Sequence, residues 1–208
     1  MLDVHAPEHG IHGARDFFVH LLTITAGLLI AIALEQSVEA LHHRHQRIEA
    51  EAVIRQELRE NRDEIDKRQA TLKSETDDLV GLLRYIDERL AHKPADASKL
   101  RVALSEGPLN DAAWRTAAAT GVATYMDYET VERFAECYKE QDQYELLEQH
   151  TLEAYLNIES FVAVKKPAEL SDDDLRAAQP VVRQALADMG ALRDISHGAL
   201  QMYDSALK

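Results

Sequence analysis

Across its 208 residues the sequence is short of everything that staples, bends or charges a chain positively. It has a single cysteine, Cys137, which excludes an internal disulfide and any CxxC redox or zinc motif. Eight glycines and five prolines leave few reversals, with no Gly-rich phosphate loop and no G-x-S-x-G elbow. Aromatic residues make up only 6%, and no segment alternates in the way a strand requires, so the chain reads as all-α. Basic side chains number 23 against 37 acidic ones, a formal charge of -14, so the electrostatic footprint of a nucleic-acid binder is missing.

One segment departs from this acidic average. Residues Phe17 to Leu34 read FFVHLLTITAGLLIAIAL, uncharged throughout and polar only at His20, Thr23 and Thr25. About 18 residues at about 1.5 Å each reach about 27 Å, near the thickness of a hydrocarbon core. The two threonine hydroxyls can bond back to the preceding helical turn, and His20 is close enough to the end to reach the headgroups. A cleavable signal peptide and a buried core helix are the competing readings. Ala31-Ile-Ala33 has small-x-small spacing, but the tail of residues 1–16 carries three acids and one arginine where a signal peptide is basic. The expectation is a transmembrane helix over 17–34. Arg15 before it, with Glu35 and Glu39 after it, places the N-terminus inside and the C-terminal part outside, while Arg44 and Arg47 push the other way.

Beyond Leu34 no breaker occurs before Pro94. Leu34, Leu41 and Ile48 recur at seven, with Val38, His45 and Ala52 four after each, so residues 35–57 are expected to form a helical stalk. Its exposed apolar stripe, Leu34, Val38, Leu41 and Ile48, would pair with a copy of itself or with a partner's helix. A second series, Leu58, Ile65, Leu72, Leu79 and Ile86, follows after a step of ten, a stammer that re-aims the apolar face. Two more helices are expected, Asp127 to Val164 and one starting at Ser171-Asp-Asp-Asp174 with Pro180 as a kink. The connector of residues 94–127 should hold two short helical pieces, Lys99 to Glu106 and one capped by Asn110. The architecture is thus an N-terminal transmembrane helix running into a stalk and an antiparallel bundle of three long helices, residues 58–208, joined by a short-helix connector.

His5, His9 and His12 lie before the anchor and His42, His43 and His45 after it, so a spanning segment keeps the two groups on opposite sides. Glu39, His42 and His43 share one helix face and could hold a divalent metal or gain charge as the pH falls; the plainer reading is an i,i+4 surface pair. Di-iron chemistry needs two Glu-x-x-His pairs facing inward, and the sequence has one, beside the membrane. Cys137 sits in an amphipathic pattern as a small packed thiol. Trp114, in the run NDAAWRTAAATG, and the tyrosines after it either plug the junction of connector and bundle or wall a groove in which Trp114, Tyr125 and Tyr128 meet a ligand or peptide. No nucleophile has a visible base, so no enzyme is expected and no cofactor is implied.

The stretch RDFFVHLLTITAGLLIAIALEQSVEALHHRHQ resembles the N-terminal anchor of a group of uncharacterised bacterial single-pass membrane proteins. In these a V-H element precedes a GLLIA-type helix, an LEQ-VE-HHRH stretch and a charged E-L-x-x-N helix, here Glu57-Leu58-Arg59-Glu60-Asn61. The likeness covers about the first 60 residues well and the rest by order of elements. It implies a bacterial inner-membrane protein and supplies no activity. The resulting expectation is a membrane-anchored interaction or scaffold module that docks a protein partner, with a periplasmic bundle. The alternative is a ligand-sensing extracytoplasmic domain, which would have to signal through a partner because the tail is too short to be a domain.

Overall fold

The computed structural model describes residues 13–105, 107–162 and 165–208. The tail histidines His5, His9 and His12, and the expected helix end at Val164, lie outside the described residues. The elements in order are α1 (Ala14–Leu90), α2 (Ala112–Ala119), α3 (Tyr128–Val162) and α4 (Asp172–Ala206), with single turns of 3-10 helix at Ala97–Lys99, Val122–Tyr125 and Pro167–Glu169. No strand occurs among the described residues. The chain divides into two units, residues 1–48 and 49–208.

In the first unit α1 carries one stretch long and apolar enough to cross a membrane, with a mean hydropathy of 2.4 and none of it buried. Its few polar groups are satisfied inside the helix. Thr23 Oγ1 donates to the Val19 carbonyl at 2.9 Å, Thr25 Oγ1 to Leu21 at 2.8 Å, and His20 Nδ1 lies 2.9 Å from the Asp16 carbonyl. This is what a helix needs where water cannot supply partners. The following turns leave Leu34, Val38, Leu41 and Ile48 exposed.

The second unit is a helical bundle. Leu58, Ile65, Leu72, Leu79 and Ile86 are all buried, as their heptad spacing predicts, and burial begins ahead of them at Ile54. Side-chain bonds give the helix directions. Glu57 meets Tyr138 and Asn61 meets Gln141, both numbers rising together, so α3 runs parallel to α1. Arg62 meets Asp204 and Asp87 meets Gln179, so α4 is antiparallel to α1, and it packs antiparallel on α3 as well. The core between them contains Phe134, Tyr144, Ile158, Leu175, Val182, Met189, Leu192 and Tyr203.

Because α1 and α3 run the same way, the connector has to carry the chain back along the bundle. Its described residues from Leu100 to Asp111 do so without regular secondary structure. The helical piece expected at Lys99 to Glu106 is absent among the described residues: beyond the 3-10 turn at Ala97–Lys99 none of them is helical before Ala112. Ser105 N–H there donates to the Glu75 carboxylate at 2.9 Å. The second expected piece is present as α2, but its cap is Asp111 and not Asn110, whose backbone is engaged elsewhere.

Local signals set the other boundaries. α1 ends where Lys93 N–H donates to the Glu88 carbonyl at 2.9 Å, with His92 in the left-handed region at φ 53° and Pro94 barring continuation. Gly121, at φ 77°, closes α2 in the conformation that favours glycine. Ser171 caps α4 in a reciprocal box: its hydroxyl accepts from Asp174 N–H, and its own N–H donates to Asp174. α4 runs through Pro180 without interruption.

Asp174 also receives Lys165 Nζ at 2.7 Å, and these donors, Lys165 first and Ser171 next, hold its carboxyl down at about 2 from an ordinary 3.8. A depressed acid stabilises the fold fully above its unfolded value and stops doing so as the pH falls through the folded one. Urea midpoints should therefore drop between about pH 4 and pH 2, with Asp174→Asn removing part of that slope. Ser171→Ala should cost about 1 kcal/mol at neutral pH in the same measurement.

Candidate functional site

The sequence-predicted residues fall into three places. On α1, His43 Nε2 lies 3.9 Å from Glu39 Oε1 as an i,i+4 pair, and the His42 and His43 rings are 6.3 Å apart. No group of three or more His, Cys, Asp or Glu that could hold a metal occurs among the described residues. Trp114 stacks on Tyr138, with centroids 5.7 Å apart and planes 8° apart, and meets Phe134 edge-on at 6.5 Å. It thus packs against the bundle core. Tyr125 is partly exposed at 41% and Tyr128 largely so at 80%. Cys137 is buried, its thiol donating to the Met202 carbonyl at 3.3 Å. Burial first, then Glu136 and Glu140, push it up to about 12, so it is a protonated packing group at neutral pH.

The structure adds a site that apolar periodicity does not reveal. Asn61, Arg68 and Glu75 recur at seven, each three residues after a member of the Leu58 series, and all are buried. Together with Ile54 and Leu82 they form the second stripe of the same heptad frame, filled in its middle with polar side chains. Counting apolar residues skips them; counting every residue at that spacing would have found them.

These side chains grip the connector. Asn61 Nδ2 donates to the Asn110 carbonyl at 2.6 Å and its Oδ1 accepts from Asn110 N–H at 2.8 Å, closing a ring of bonds on one connector residue. Asn61 also donates to Gln141 Oε1 at 2.9 Å, and Tyr203 donates to that same oxygen at 2.9 Å. One turn earlier, Glu57 accepts from Ala113 N–H at 2.9 Å and from the Tyr138 hydroxyl at 2.6 Å. Desolvation, then this bond, pushes the Tyr138 phenol far above its ordinary range and keeps it a donor. At the other end Glu75 accepts from Ser105 N–H at 2.9 Å. Ser105, Asn110 and Ala113 thus meet Glu75, Asn61 and Glu57 in reverse order along α1.

Arg68 occupies the layer between. Its Nη1 donates to Glu75 at 2.6 Å and to Thr71 at 2.8 Å, and its Nε lies 3.5 Å from Glu148. Nη2 of Arg68 and the hydroxyl of Tyr155 are buried without a hydrogen-bond partner among the described residues. This layer is the least satisfied part of the core. Outside it, the connector and α3 enclose a cleft of about 340 Å³ lined by Gly107, Pro108, Leu109, Glu145, Glu148 and Gln149, among others. Desolvation raises the Glu145 carboxyl above its ordinary range, Gln141 opposing this by donating to it.

No protein-family model matches the chain, and comparisons with curated proteins and with solved structures gave no match.

Arg68→Met should leave Glu75 buried beside a lost partner and cost about 3–5 kcal/mol in denaturant unfolding; Arg68→Met with Glu75→Gln should recover part of that, because the amide oxygen still accepts from Ser105. Asn61→Leu strands the Asn110 N–H, whereas the Asn110 carbonyl keeps Gln141 Nε2 as a donor at 3.2 Å; it should cost about 1–3 kcal/mol and speed amide exchange at Asn110. Cys137 should stay unreactive towards maleimide until the bundle unfolds.

Proposed function

We propose that this chain is a single-pass protein of a bacterial inner membrane, a helical interaction module that works by docking a protein partner. The observation that carries the reading is the uncharged, wholly exposed stretch within Phe17–Leu34, followed on the same helix by exposed Leu34, Val38, Leu41 and Ile48. An apolar surface of that length needs lipid, and the stripe beyond it needs another helix. Arg15 against Glu35 and Glu39 favours the bundle on the periplasmic side. The formal charge after the anchor, -12 once the tail's three acids and one arginine are set aside, favours a bundle that does not lie on anionic lipid.

A second reading is ligand sensing through a partner. The cleft between the connector and α3 supports it, since a small molecule seated on Gly107, Pro108 and Leu109 would touch the segment that Asn61, Glu57 and Glu75 hold.

The chain should remain with the membrane through alkaline carbonate extraction, and deletion of residues 17–34 should release it. A reporter fused after Lys208 should be active only in its periplasm-competent form. Gentle solubilisation of native membranes should bring a stoichiometric partner with the protein; its consistent absence would sink both readings of the bundle.

A further inference from the structure

The stripe beyond the anchor can be read in more detail than its hydrophobicity alone. Leu34, Leu41 and Ile48 hold one position of a heptad frame, and Val38, His45 and Ala52 hold the next, four residues after each. With the first set as d, the second is a, and every member of both is exposed on α1. In that frame Arg44 is g and Glu49 is e. A g side chain in a parallel, in-register pair of helices faces the e side chain five residues on in the other helix, and Glu49 lies five after Arg44. Antiparallel pairing sets g against g and e against e, and so does not bring Arg44 to Glu49. The charges therefore fit a second copy of this helix lying parallel and in register.

Two further observations agree. Copies anchored by the same apolar segment enter the membrane in the same direction, which leaves only the parallel arrangement. The step from Ile48 to Leu58 is ten residues, so the exposed series and the buried Leu58 series do not share one heptad frame. The seam ends at Ala52, since the next d and a positions are Arg55 and Arg59.

We infer that the occupant of this face is a second copy of the chain, in a short parallel coiled coil over Leu34 to Ala52, with Arg44 paired to Glu49 of the other copy and His45 facing His45 across the seam. The inference rests on the anchored reading above and supplies its first partner. A polar residue at a single a position fixes register at a cost in stability, which is the role the geometry gives His45. Three heptads alone are marginal in water, so the pair depends on confinement of both copies to one membrane.

The test uses the full chain in native membranes. Cys137 is buried and protonated, so oxidative cross-linking reports on cysteines introduced one at a time: Leu41→Cys and His45→Cys on the seam, and His43→Cys, an f position, facing away. Dimers are expected at the first two and not at the third. Arg44→Glu in the Leu41→Cys background should cut the cross-linked fraction by about threefold or more, and adding Glu49→Arg should restore it. Equal cross-linking at all three positions, or charge swaps without effect, overturns the register. Monomers at every position in a chain that survives carbonate extraction overturn the second copy and leave the anchor standing; release by carbonate overturns the anchor and the pair together.

Discussion

The bundle depends on how α1 holds a segment that is not helical. Once α3 runs parallel to α1, the chain has to travel back the length of the bundle, and its non-helical backbone loses the internal bonds a helix would provide. Glu57, Asn61 and Glu75 replace them, each from the same stripe or one turn beside it, each accepting a connector N–H. In chain order Ser105, Asn110 and Ala113 meet Glu75, Asn61 and Glu57, so the donors ascend the connector as the acceptors descend α1. The polar stripe of α1 is therefore a ruler for the connector as well as part of the core.

This arrangement explains what could be read from the sequence and what could not. The Leu58 series announces itself, because Leu and Ile at every seventh position have few other uses, and the Ser171 to Asp174 start of α4 carries its whole signal within four residues. The connector does not. Before the Gly107-Pro108 break nothing local distinguishes Arg101 to Ser105 from a weak helix; the partners that hold the connector are an asparagine and two carboxylates 30 to 56 positions earlier. The polar stripe was hidden for a related reason. Asn61, Arg68 and Glu75 look like the wet side of an amphipathic helix until a second wet-looking set, Gln141, Glu148 and Tyr203, is brought against them.

The candidate site residues divide the same way. Glu39 and His43 are where their spacing places them, because an i,i+4 pair needs only the helix. Trp114 packs on Tyr138 and Phe134, an outcome that alanine-rich surroundings favour for a bulky ring, whereas Tyr128 at the start of α3 stays in solvent. On α1 the same heptad logic serves two ends in turn, first a set left exposed among the described residues and then a buried set that has two helices over it.

Arg55, at the root of the bundle, donates to the carbonyl of Ala206 at 2.8 Å and lies over the Phe134 ring. Its partners are thus drawn from the far helix and from the last turn of α4, so these contacts arise only after synthesis through Ala206. A membrane segment emerging first from the ribosome would be inserted while α1's polar stripe still had nothing to hold. For that interval Asn61, Arg68 and Glu75 would be hydrated, while the Leu58 series beside them waited for its cover. Closure of the bundle is thus a late event, set by the arrival of α4.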